Sequence, residues 1–192
     1  MDDNEAKKQL VQRAAAMIRR SGFPLADGEL ERMEFVDFGL GRFLVEGLGI
    51  ITLFATDRLS MKLLLQFPLQ TEPEHWHPPV GDDPGKEEVL RNLWGDLYVY
   101  TVGEGLGEVP RIPGGKESVY RCRRETFLKP GEQILLPAGA PHWFRAGPEG
   151  AVFLSISTCV RDGRDGFTDP RVDRLAPATL PSAEEVRRFF DT

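Results

Sequence analysis

Residues 131–142 read Gly131-Glu132-Gln133-Ile134-Leu135-Leu136-Pro137-Ala138-Gly139-Ala140-Pro141-His142, and this stretch decides the fold. The short apolar run Gln133–Pro137 predicts a strand. Pro137 and Gly139 then build a tight turn that delivers a second strand starting at His142. Such a hairpin carries an imidazole at the head of a strand. The chain has only three histidines, and the other two are His75 and His77, on either side of Trp76. Residues two apart on a strand face the same way, so His75 and His77 point together and Trp76 points opposite. A lone His-x-His also describes two exposed or core histidines. Here Glu88 follows, with six residues between it and Gly95, and His142 supplies a third imidazole. Three imidazoles and one carboxylate make a donor set for Mn, Fe, Co, Ni or Zn.

The surrounding texture is that of an all-β protein. From about Phe35, short runs rich in Val, Ile, Leu, Phe and Tyr alternate with Gly, Pro and Asp. The predicted strands are Phe43–Glu46, Gly49–Ala55, Lys62–Phe67, Glu74–His77, Asp96–Val102, Ser118–Arg123, Glu125–Leu128, Gln133–Pro137, His142–Ala146 and Ala151–Thr158. Strands at this spacing suggest a closed or sandwiched antiparallel sheet. Pro78–Gly85 reads as a loop, and Gly103–Gly115 as a longer, mobile one. Before the strands, Leu10, Val11, Ala14, Met17 and Ile18 recur at helical spacing, and Ser21-Gly22 with Pro24 marks the stop. This helix would pack one face on the core or on a second subunit. Residues 161–180 are polar and Pro-bearing, and read as an ordered tail. Ser182 to Glu185 forms a capping box that opens a short helix with Val186, Phe189 and Phe190 on one face. The expected organisation is one domain with three parts: residues 1–34, a barrel over 35–160, and a tail with helix over 161–192.

Bulk properties narrow the function. With 192 residues the chain can bury a full core without disulfides. Its net charge is −6 and its pI about 5.2, which argues against nucleic acid and anionic membrane surfaces as partners. Cys122 and Cys159 form no Cys-x-x-Cys motif and read as reduced or buried thiols of a cytoplasmic protein. No signal-peptide pattern is seen at Met1-Asp2-Asp3-Asn4-Glu5, and the longest apolar run is too short for a bilayer.

At these residues the chain resembles the cupins. Gly131, Pro137, Gly139 and His142 match the second cupin motif closely, with Ala146 in place of its final Asn. The first motif departs at Gln70, where the family has Gly, and in spacing: ten residues rather than three or four separate His77 from Glu88. The insertion must loop out and return, which leaves Glu87 as a competitor of Glu88. Within the cupins the chain is similar to the D-lyxose isomerase group, on several blocks. These are Glu74-His75-Trp76-His77-Pro78-Pro79, Gly85-Lys86-Glu87-Glu88, Trp94-Gly95-Asp96-Leu97-Tyr98-Val99-Tyr100 and Pro141-His142-Trp143-Phe144. Ala146-Gly147-Pro148-Glu149-Gly150, Ser157-Thr158, Arg161-Asp162 and Phe167-Thr168-Asp169-Pro170-Arg171 complete the likeness. The resemblance implies a single jelly-roll β-barrel with terminal helices. It also implies a divalent metal, most often manganese, on His75, His77, Glu88 and His142. The implied activity is ketol isomerisation of D-lyxose to D-xylulose, or of D-mannose to D-fructose.

Such chemistry needs more than the ligands. The metal polarises a carbonyl. Lys86 is placed by sequence to stabilise an enediolate, or else is a surface lysine. A base must also reach the carbon-bound proton. Asp169 is the first candidate, against a plain turn role before Pro170, with Asp162, Asp165 and Glu87 as alternatives; Asp162 and Asp165 are also substrate-binding candidates. Trp76, Trp94 and Trp143 flank the site and suit either a sugar face or a wall of the fold, and Trp76 is the one expected to touch substrate. Two other readings compete: a cupin iron dioxygenase, and a non-catalytic sugar-binding cupin. Small barrels expose sheet edges and apolar outer faces, so a homodimer is expected, with the helix of residues 5–20 among the covering elements.

Overall fold

A computed structural model describes residues 2–105, 111–158 and 162–191. Among the described residues two α-helices flank nine strands. Helix α1 is Asp2–Ser21 and α2 is Ala183–Phe190. The strands are β1 Glu34–Val36, β2 Leu48–Ala55, β3 Leu59–Gln66, β4 Thr71–Trp76 and β5 Glu88–Thr101, then β6 Arg124–Leu128, β7 Gln133–Leu136, β8 His142–Thr158 and β9 Gly166–Phe167. Every strand pairing is antiparallel.

The long strands β5 and β8 make the barrel. Residues 88–95 of β5 pair with 151–157 of β8, and 97–101 pair with 142–146, with shifts of register between. The first half of this pair extends to β3, β2 and β1 on one side and β7 on the other. The second half extends to β4 and β9 on one side and β6 on the other. One sheet therefore curls into two facing layers of jelly-roll type. The corner lies where Gly95, at φ +74°, passes Gly150, at φ +91°. A side chain on Gly95 would strike the Gly150 carbonyl, so the motif glycine is a close-approach residue.

Alternation sorts the core. Ile50, Leu64, Leu90, Phe144 and Phe153 fill the interior. Their neighbours Ile51, Leu63, Leu65, Val152 and Leu154 face out and are covered by Ala6, Leu10, Ala14, Met17 and Ile18 of α1 and Val186 of α2. The amphipathic helix thus caps its own barrel; its apolar face is spent within the chain and does not serve a second subunit. Helix α2 opens with the expected capping box between Ser182 and Glu185. Among the described residues no helix is long and apolar enough to cross a membrane.

Several predicted strands need correction. Phe43–Glu46 is a turn in which Val45 and Glu46 N–H both donate to the Arg42 carbonyl. Ser118–Arg123 is not a strand either. The N–H groups of Arg121 and Cys122 donate to the Glu74 carboxylate at 2.6 Å, which takes the place of a strand partner. Strand β5 starts eight residues earlier than Asp96, and the two strands expected around residues 147–150 are one bent strand, β8. Strands β1 and β9 are short additions that no periodicity marks. Residues 106–110 of the predicted mobile loop and Cys159 lie outside the described residues.

Candidate metal centre

Strand ends and turns bring the four sequence-predicted ligands together. His142 opens β8, opposite His75 of β4 in register. His77 follows β4 directly. Glu88 opens β5, opposite Ser157 of β8. The insertion returns through Gly85, at φ +104°, where a side chain would strike the His77 carbonyl. The chain thereby doubles back tightly past His77 and enters β5 with Glu88 inward. Glu87 is exposed, its backbone paired with Thr158.

One donor atom from each of His75, His77, Glu88 and His142 lies within 4.8 Å of the others, and all four residues are buried. The imidazoles are oriented from behind. Nδ1 of His75 donates to the Pro73 carbonyl, Nδ1 of His142 to the Ala140 carbonyl, and Nδ1 of His77 to Asp165 Oδ1, each at 2.9 Å. Each Nε2 is left to face the centre, which is how ligating histidines are held. His142 Nε2 is buried with no hydrogen-bond partner. A buried polar atom of this kind costs free energy unless something fills its lone pair, so the donor set fits a divalent cation.

The charge states of His75, His142 and Glu88 agree. Burial holds the His142 imidazole down at about 4 and the His75 imidazole well below its usual range. Burial also pulls on His77, but hydrogen bonds to Asp165 and Glu88 outweigh it and raise that group. Burial would raise Glu88; the Lys86 charge and His77 more than offset it and hold the carboxylate well below its ordinary range. Lys86 Nζ stands 3.7 Å from Glu88 Oε1, which also accepts from Ser155 Oγ.

Beside this centre lies a small cavity of about 30 Å³. Lys62, Glu72, Lys86, Ser155, Asp165 and Arg174 line it with His75 and Glu88, over a floor of Leu48, Ile50, Leu64 and Phe144. Its wall is polar and carries side chains of both charge signs. Lys86 and Asp165, both sequence candidates, are here. Glu72, Lys62, Ser155 and Arg174 escaped the sequence reading. Glu72 is hidden by a bulge: Glu72 opposes Phe144 and His75 opposes His142, so three steps on β4 match two on β8. Strict alternation from His75 would have turned Pro73 inward instead. Burial, then the neighbouring Glu88 charge, pushes the Glu72 carboxyl up to about 8. Lys62 and Ser155 sit at inward positions of apolar strands, and that parity is the signal which could have found them.

Other candidates sit elsewhere. Asp169 is not in the cavity wall; its carboxylate is bound by Lys116 Nζ at 2.5 Å and by Arg171 through Nε and Nη2, both at 2.9 Å. Lys116 also pairs with Glu46 at 3.1 Å, and Tyr120 donates to that same glutamate. Asp169 is thus the centre of a buried ion cluster that docks the segment after residue 110. Trp143 is buried and stacked on Tyr100, with ring centres 3.7 Å apart. Trp94 packs toward α1 beneath Arg20. Trp76 lines a separate groove with Glu74, Arg121 and Phe167, on the far side of β4 from the cavity. The side chain of Asp162 lies outside what is described.

The chain is 48% identical over 164 residues to the D-lyxose ketol-isomerase of Cohnella laeviribosi, spanning 85% of this chain and 90% of that one. It belongs to the D-lyxose ketol-isomerase family. A D-lyxose/D-mannose isomerase of Thermosediminibacter oceani is 39% identical over 170 residues, 88% of this chain and 93% of that protein. No family model matches the chain. Among solved structures, L-ribose isomerase from Cellulomonas parahominis superposes with a TM-score of 0.72 at 15% identity, covering 94% of this chain and 98% of that one. At that identity the likeness speaks for the fold alone, which this D-lyxose ketol-isomerase family member shares over nearly its full length.

Proposed function

We propose that the protein interconverts D-lyxose with D-xylulose, and D-mannose with D-fructose, using one divalent ion, manganese first, on His75, His77, Glu88 and His142. The observation that carries this reading is the convergence of three oriented Nε2 atoms and one carboxylate on a cavity walled by charged, polyol-type side chains. The sugar-isomerase relatives support it over the iron dioxygenase and the non-catalytic binder. When bound, the ion supplies Lewis acidity toward the sugar carbonyl. Lys86 places a positive charge beside the position where an enediolate would form. Among the described residues three carboxyls line the cavity. Glu88 is a ligand and Asp165 is engaged by His77, so Glu72 is assigned the proton. It takes the proton from C2 of the aldose and returns it to C1, while the O2 hydroxyl proton passes to O1. The route is a cis-enediol, since the chain's three histidines and Glu88 make one metal site.

The test is turnover of D-lyxose and D-mannose by the manganese-loaded protein in deuterated water. Deuterium is expected on C1 of the ketose formed. Ketose free of deuterium would point to a hydride shift, and no ketose from either sugar would overturn the activity.

We also infer a cytoplasmic homodimer. A buried free thiol at Cys122 suits a reducing compartment. Phe54, Met61, Ile156, Val89 and Leu135 are consecutive cross-strand partners over β2, β3, β8, β5 and β7. They form one apolar row on the outer face, and Phe54, Ile156 and Leu135 are 45%, 39% and 54% exposed. A second copy of the chain supplies a matching row. Sedimentation at micromolar protein should give twice the 21.5 kDa chain mass. The Leu135→Asp/Ile156→Asp variant should sediment as a monomer; a wild-type monomer overturns the dimer.

A further inference from the structure

We infer that Gly166 is a positioning residue for the metal centre: the space left by its missing side chain lets β9 lie flat on the Trp76 ring, and this fixes the reach of Asp165 to His77. The inference rests on the reading of His75, His77, Glu88 and His142 as a metal site. Strand β9 is only two residues long and pairs with the edge of β4, Trp76 opposite Gly166 and His75 opposite Phe167. Gly166 is not among the residues with positive φ, so its backbone is open to any L-residue. What excludes a side chain is the indole. A Cβ on Gly166 would sit 2.9 Å from Trp76 Cδ2 and closer still to Cε2 and Cζ2. The ring is a rigid plate on a sheet, not the far end of a flexible chain, so the strand itself would have to lift.

The neighbours of Gly166 show what lifting would disturb. Asp165, directly before it, holds His77 Nδ1 at 2.9 Å. Phe167, directly after it, packs on the His75 ring with centres 5.7 Å apart. Thr168 N–H then donates to the Glu74 carbonyl at 3.1 Å. Two ligands are thus supported from one short strap, and the strap's distance from β4 is set where glycine meets tryptophan. A carboxylate behind a ligating imidazole raises its basicity and fixes its tautomer, and losing such a partner typically costs about 10–100-fold in metal affinity. A displacement under an ångström or so is enough to break a hydrogen bond of this length. Trp76, drawn by its place between two ligands toward a role in sugar binding, thereby acts through the backbone on its far side.

The experiment is titration of metal-stripped protein with Co2+, followed by the visible absorption of the bound ion, on wild type, Gly166→Ala, Asp165→Ala and the double variant. Thermal melting of the metal-free proteins runs alongside. Gly166→Ala and Asp165→Ala are each expected to weaken Co2+ binding about 10–100-fold and to change the absorption band in the same way. The double variant should bind no worse than the weaker single one, because both changes remove the same support. Wild-type affinity in Gly166→Ala, or losses that multiply in the double variant, overturn the inference while leaving the metal site intact. Failure of wild type to bind Co2+ overturns the metal reading, and the inference falls with it. Should Gly166→Ala melt below the assay temperature, Trp76→Val/Gly166→Ala decides. With the plate removed the glycine effect should vanish, and its persistence overturns the role given to the ring.

Discussion

Replacing His142 by alanine is expected to weaken binding of the divalent ion by about 100-fold or more and to remove turnover at ordinary metal concentrations. Four-ligand sites bind with roughly 10–16 kcal/mol in all, so each ligand carries about 3 kcal/mol, or two decades of affinity. His142 heads β8, and the sheet around it is held by pairing with both β4 and β5. The metal-free variant should therefore keep its far-ultraviolet dichroism. The measurement is metal content after gel filtration, with thermal melting with and without added ion. In wild type a saturating ion, at 100 times its dissociation constant, should add about 2.7 kcal/mol of stability. In His142→Ala that increment should disappear. An alanine variant that retains stoichiometric metal and wild-type melting would remove this residue from the site.

The second large effect separates two carboxyls that the sequence does not tell apart. Glu72→Gln is expected to lower kcat by about 10²–10⁴, the usual worth of a positioned acid–base group, with metal content unchanged. Asp169→Asn should do the converse. Its carboxylate offsets the charge of Lys116, itself 1% exposed, and breaking a buried pair costs about 3–5 kcal/mol. Melting should fall by roughly 6–12 °C at the lower end of that cost, for a chain of this size. At temperatures where the variant is folded, kcat should stay near wild type. If Asp169→Asn is stable and inactive while Glu72→Gln turns over normally, the base is Asp169 and the assignment made from the cavity is wrong. Acid should expose the same cluster. Arg171 and then Lys116 hold Asp169 below the ordinary carboxylate range against the cost of burial. Its contribution to stability is present above the carboxyl's unfolded value and is lost as pH falls below it toward the folded one.

How much of this was written in the chain follows from the range of each interaction. Turn chemistry and alternation are local. They suffice for the hairpin ending at His142, for the shared face of His75 and His77, for the capping box at Ser182, and for most of the long strands. The candidate metal centre was legible because its four donors stand at strand ends whose turns are spelled by Gly131, Pro137, Gly139 and Gly85. Even the ten-residue insertion before Glu88 was readable as a loop that returns.

The remainder depended on partners far away in sequence. Glu72 faces the cavity only because β4 bulges against β8, and a bulge shifts parity without a mark of its own. Asp169 was placed near the reaction because an acid before proline in a polar tail carries no sign of burial. Its buried partner, Lys116, stands 53 residues earlier in the chain. Ser118–Arg123 has strand composition, yet the Glu74 carboxylate takes the N–H groups that a strand would have given to a neighbour. Helix α1 could have covered a partner or its own barrel, and an apolar stripe is the same in both cases. The sequence by itself determined the fold class and picked out the four donors that the structure brings together, because periodicity and turns act over a few residues. Only the tertiary structure decided which carboxyl meets the cavity, which is locked in an ion cluster, and which glycine lies against the Trp76 ring, because each depends on a contact between segments that only the closed barrel brings together.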